Sequence, residues 1–152
     1  MNCIADITKI ADNKINSADV LYNNNCFDDA FYLCGYAFEL YLKAKVCKTL
    51  DIEDFFDFDN SKNRKIITKK KSNLENLYKP YKVHDYEQLI ILSGLFNEFN
   101  VEIAKNQKMN LAWSIASEWN ENLRYTIKYN QANTKKFIES IKELVQWMQT
   151  KI

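Results

Sequence analysis

Two glycines and one proline in 152 residues leave this chain few places to turn sharply. An all-β fold needs many tight turns, and a nucleotide-binding α/β fold needs a glycine-rich loop for its phosphates. Both lose ground to an all-helical chain. Apolar residues make up 47% of the sequence, so a packed core is expected rather than general disorder. The length predicts one domain over 1–152, with a core of modest size.

Helical periodicity runs through most of the chain. Residues 4–22 place Ile4, Ile7, Ala11, Ala18 and Leu21 at steps of three and four, broken by Lys14. That spacing predicts one core-facing stripe. Asn23-Asn24-Asn25 ends this helix. Asn25 is the expected N-cap of a second helix over 26–50, with Asp28 favourable to its positive end. A third helix starts at Asp85, which forms a capping-box pattern with Gln88 and continues through Leu89, Leu92, Phe96 and Phe99. A fourth covers 101–119, either continuous or interrupted near Asn106–Asn110, with Leu111, Ile115 and Trp119 inward. Residues 120–125 read as a loop. A fifth helix over 132–150 turns Phe137, Ile141, Leu144, Val145 and Met148 inward.

Residues 51–83 break the pattern and read as a long polar insertion between helices. Its first half is acidic and aromatic (Phe55, Phe56, Phe58), and Pro80 closes it. Its second half carries Lys62, Arg64, Lys65, Lys69, Lys70 and Lys71. The two halves either attract each other as a solvated loop, the favoured reading, or offer a basic arm to RNA.

The second helix holds the most pointed pattern. Its core stripe is Ala30, Leu33, Cys34, Ala37, Leu40, Tyr41 and Ala44. Beside it Tyr32, Tyr36, Glu39 and Lys43 form a second stripe at the same spacing. Gly35 costs about 1 kcal/mol of helix propensity, which suggests a close helix crossing or space for a ligand. A charged pair on an apolar helix needs explanation, because an unpaired buried charge is costly. Glu39 is expected to meet Lys43 one turn on, or Arg124, whose planar fork suits a carboxylate.

Other function classes are excluded or weakened. Net charge is +1, so there is no global basic field for nucleic acid. The N-terminal residues lack a signal-peptide pattern and no stretch reaches 18 apolar residues, so no membrane association is expected. Four cysteines without a C-x-x-C pair, and a single histidine, make a zinc site or other cofactor unexpected and suit a reducing cytoplasm. Cys34 reads as a small buried hydrophobe. Tyr32, Tyr36, Tyr41, Trp113 and Trp119 could stack on bases, though core or dimer packing is the better reading.

Three motifs in order resemble the HEPN family. Ala37, Glu39, Leu42, Lys43 and Ala44 are similar to its second-helix motif. Val83-His84-Asp85-Tyr86 followed by Leu89 is similar to the start of its next helix, with Tyr86 replacing Leu. Leu123-Arg124-Tyr125 is similar to the Arg-Tyr before its last helix. The expected fold is an all-α, antiparallel up-and-down bundle of four main helices plus a shorter one. The resemblance also implies a homodimer packed through helices that include the Gly35 region. Many members are metal-independent ribonucleases with Arg, four to six residues, then His. Here the sole histidine, His84, is preceded by Lys79 and Lys82 rather than Arg, and no His follows Arg124. Without that group proton transfer loses its usual carrier. The expected function is therefore non-catalytic: binding RNA or nucleotide, or pairing with a nucleotidyltransferase-like protein, in a toxin–antitoxin or phage-defence setting. The pocket would be lined by Tyr36, Glu39, Lys43, Arg124 and Tyr125. One alternative is a diverged ribonuclease using His84 with Lys79, Lys82 or Arg124. Another is a structural dimerisation module. His84 either packs beside the helix N-cap or, kept neutral there, accepts a proton.

Overall fold

The computed structural model describes residues 3–51 and 84–152. Among these the chain forms six α-helices, one 3-10 turn and no strand: α1 (Cys3–Asn23), α2 (Phe27–Leu50), α3 (Tyr86–Leu92), α4 (Phe96–Lys105), α5 (Gln107–Ala116), the 3-10 turn Glu121–Tyr125, and α6 (Gln131–Gln149). The all-helical bundle expected from the scarcity of glycine and proline is what forms. None of these helices is long and apolar enough to cross a membrane.

The bundle is built around α2. Helices α1, α3 and α6 and the 3-10 turn all pack on it, and α5 packs on α6. Encirclement explains why α2 is buried nearly all round rather than along one stripe. Ala30, Cys34, Ala37, Leu40, Tyr41 and Ala44 are buried as the periodicity predicts, while Leu33 stays half-buried. Phe31, Phe38, Leu42 and Val46 are buried as well. The α1 stripe holds at Ile7, Ala11 and Ala18. The α6 stripe holds at Phe137, Ile141, Leu144, Val145 and Met148. Each large apolar side chain so buried contributes about 1.5–3 kcal/mol.

Three sequence expectations are corrected. Asn25 does not cap α2. It takes φ +62°, while Cys26 N–H donates to Leu21 O at 2.9 Å and Asn25 N–H to Tyr22 O at 3.1 Å. This is a Schellman closure of α1, with the left-handed position given to an asparagine that tolerates it. Asp28 reaches away from its own helix, and its carboxylate accepts from the backbone N–H groups of Lys128 (2.8 Å) and Tyr129 (2.9 Å). It thereby fixes the approach to α6. Phe31 packs there too, its ring stacked 3.7 Å from Tyr129 and 3.6 Å from Phe137.

The third helix ends early for the same geometric reason that α1 does. Gly94 sits at φ +75° and closes α3 through Gly94 N–H to Ile91 O and Leu95 N–H to Ile90 O. The stripe running to Phe99 is therefore split between α3 and α4, and Phe96 is exposed. At its start the expected Asp85 cap is present, accepting from Gln88 N–H at 3.0 Å. The fourth helix takes the interrupted form and divides at Asn106; it is the inner face that differs. The Asn106 carboxamide oxygen accepts from Lys108 N–H (3.1 Å) and Met109 N–H (3.2 Å) and opens α5. This new start rotates the inner face. Met109, Ala112 and Ala116 are buried, Leu111 is exposed, and Ile115 is half-buried.

Candidate functional site

Glu39 is fully buried, so its charge must be met inside the protein. Lys43, one turn on and itself buried, donates to Glu39 Oε1. The second partner is His84, whose Nδ1 lies 3.0 Å from both Oε1 and Oε2. The Lys43 half of the sequence expectation holds. The Glu39–Arg124 pair does not form, because Arg124 is engaged elsewhere and His84 takes the remaining position on the carboxylate. His84 is brought there by the Asp85 cap, which fixes where α3 begins.

The glycine of α2 has a clear role. A Cβ on Gly35 would lie 2.1 Å from Trp119 Cδ1, so only glycine admits the indole at this distance. Trp119 Nε1–H donates to Tyr32 O at 3.1 Å, and the ring stacks 5.1 Å from Tyr86 and 5.9 Å from Tyr32. The Tyr86 hydroxyl donates to Gly35 O at 2.7 Å. Burial pushes the Tyr86 phenol well above its usual value. The close approach expected at Gly35 is made within the chain by Trp119.

Arg124 stands at the end of the 3-10 turn, with Nε–H donating to Glu121 O at 2.8 Å. Its guanidinium carbon lies 5.9 Å from the Tyr32 ring centre and 5.5 Å from that of Tyr125, within cation–π range. Tyr125 is 81% exposed. Tyr36 is half-buried and parallel to Tyr32, 6.4 Å away. Burial raises the phenols of Tyr32 and Tyr36. The Arg124 charge opposes the rise at both, and the Glu39 charge adds to it. Tyr32 and Tyr36 therefore lie in the fields of both Glu39 and Arg124.

A cleft of about 570 Å³ opens beside this cluster. His84, Asp85, Tyr86 and Glu87 line one side, and Trp113, Ser117, Trp119, Asn120 and Glu121 the other. Of the predicted pocket residues, Glu39 and Lys43 lie behind His84, and Arg124 and Tyr125 on the turn that continues from Glu121. The sequence reading found His84 but not its partner, and missed the cleft made by α3 and the segment after α5. Trp119 was the available signal: a large aromatic four residues before the Leu123-Arg124-Tyr125 motif. Of the other aromatic candidates, Tyr41 is buried, donating to Asp12 and accepting from Gln149 at 2.9 Å. Trp113 is half-buried, edge-on to Phe99. The basic residues Lys62, Arg64, Lys65, Lys69, Lys70 and Lys71, with Lys79 and Lys82, lie outside the described residues. No protein-family model, curated protein or solved structure matches this chain.

Proposed function

We propose that this chain is a non-catalytic HEPN-like bundle, antiparallel and up-and-down, that binds RNA or nucleotide. The observation that carries this reading is the surface made by Tyr32, Arg124 and Tyr125. It places one cation against two aromatic faces, one of them almost wholly exposed. Stacking faces beside a guanidinium suit unpaired bases and a neighbouring phosphate. The family resemblance adds a homodimer, a nucleotidyltransferase-like protein partner and a toxin–antitoxin or phage-defence setting to the proposal. The test is anisotropy of a labelled single-stranded RNA with the wild-type chain and with Arg124→Ala and Tyr125→Ala. Loss of a stacking face costs about 1–3 kcal/mol, or roughly five- to hundredfold in affinity. Equal affinity in both folded variants, or no RNA bound by the wild type, overturns the reading.

One observation favours a diverged ribonuclease instead: His84 stands in the cleft with a carboxylate on Nδ1, a geometry that orients an imidazole for proton transfer. Cleavage of RNA in EDTA, lost in folded His84→Ala and Arg124→Ala variants, would establish it.

A further inference from the structure

We infer that the cleft beside His84 is a nucleobase site in which His84 Nε2 accepts a hydrogen bond from the base edge, and that Glu39 is the positioning residue that fixes this role. The inference rests on the nucleic-acid reading above and names what the cleft takes.

An ionised carboxylate can only accept. Glu39, fully buried with Lys43 donating to it, holds both oxygens 3.0 Å from His84 Nδ1. Nδ1 must then carry its hydrogen in either charge state of the ring. All variation falls on Nε2, which offers a lone pair when the ring is neutral and an N–H when it is protonated. The His84 side chain is 36% exposed while Glu39 is not exposed at all. The exposed edge is thus the one away from Glu39, and His84 lines the cleft.

The other polar groups of the cleft decide what it can hold. Among the described residues, the charged groups around His84 are Glu39 and Lys43 on α2, Asp85 and Glu87 on its own segment, and Glu121 on the turn opposite. Asp85 Oδ1 is engaged by Gln88 N–H. Carboxylates facing the cleft repel a phosphate and reward a donor. A phosphate fits better outside, at Arg124, which is tied to the Glu121 carbonyl. The indole of Trp113 lines the cleft and adds aromatic surface on which a base can pack. A guanine edge, with an N–H and an amino group side by side, satisfies Nε2 and a carboxylate together. A uracil edge sets its one donor between two carbonyls and meets the carboxylates badly.

His84 is the sole histidine of the chain, so its imidazole nitrogen signals are unambiguous in a ¹⁵N spectrum of the whole protein. Free protein, at a pH where the ring is neutral, should show hydrogen on Nδ1 and a bare Nε2. The Nε2–H tautomer, or the solution mixture of the two, overturns the role of Glu39. Folded Glu39→Gln should weaken the tautomer preference, and an unchanged preference counts against Glu39. Adding GMP should move the Nε2 signal and bind about tenfold more tightly than UMP, as expected for one well-placed hydrogen bond and its desolvated partner. IMP, which lacks the amino group, should fall between them. Equal binding of GMP and UMP, or a Nε2 signal unmoved by either, overturns the nucleobase site. If RNA still binds through Arg124 while Nε2 is unmoved, the proposed function stands without this site. If no RNA binds, both fall.

Discussion

Glu39 is a carboxyl group with no access to water. A carboxylate with no exposure is tolerated only as a bonded ion, and Lys43 and His84 supply the bonds. The helical spacing of Glu39 and Lys43 made that half visible in the sequence. His84 is 45 residues away across a segment with no periodicity, so nothing local announced it. Glu39→Gln removes the charge that Lys43 and His84 share and is expected to lower stability by about 3–5 kcal/mol in urea unfolding. A loss under 1 kcal/mol would show that the pair contributes little. Tyr41 gives a second prediction. Burial first, and its hydrogen bond to Asp12 next, push this phenol up to about 12 from an ordinary 10.0. The folded state favours the protonated form, so the contribution is complete below pH 10 and is lost as pH climbs toward 12. Unfolding free energy should fall across that window, and Tyr41→Phe should flatten the fall. An equal slope in both proteins would rule out Tyr41 as its source.

At the level of elements, the contact between α2 and the segment after α5 is set by one missing methyl. Gly35→Ala should gain about 1 kcal/mol of helix propensity. It also drives a Cβ into the Trp119 indole, and overpacking of this kind costs about 1–3 kcal/mol. Trp119→Ala alone should cost about 3–5 kcal/mol. In the Trp119→Ala background, Gly35→Ala should turn neutral or stabilising. A cycle with no coupling would mean that the indole is not what Gly35 accommodates. The helices themselves were largely readable, since α1, α2 and α6 have long apolar periods that survive packing. The end of the third and the exact break within the fourth were not, because each is decided by a single residue. Gly94 can adopt φ +75° and Asn106 can cap a new helix, and neither fact appears in a count of apolar spacing. Asn25 is ambiguous for the same reason: asparagine suits both an N-cap and a left-handed closure, and the hydrogen bonds to Leu21 and Tyr22 decide between them. The candidate site was half legible for a related reason. Its charged residues lie at helical spacing, but its cleft is a product of tertiary packing.

For the whole molecule the question is how a chain of net charge +1 would hold a polyanion. Binding that rests on counterion release needs many phosphate contacts, and for a single strand log K falls with log salt at about −0.7 per contact. The Tyr32–Arg124–Tyr125 surface offers one guanidinium and two stacking faces, so its affinity should be mostly non-electrostatic. The expected slope is about −1 between low and moderate salt. Full engagement of Lys62, Arg64, Lys65, Lys69, Lys70 and Lys71 would add six contacts and steepen it to about −5. Titrating the same labelled RNA at several salt concentrations separates the two. A shallow slope that is reduced further by Arg124→Ala, with most affinity lost in Tyr125→Ala, places recognition on the aromatic surface. A steep slope that survives both substitutions moves it to the basic segment, and the bundle would then serve as the body that carries that segment.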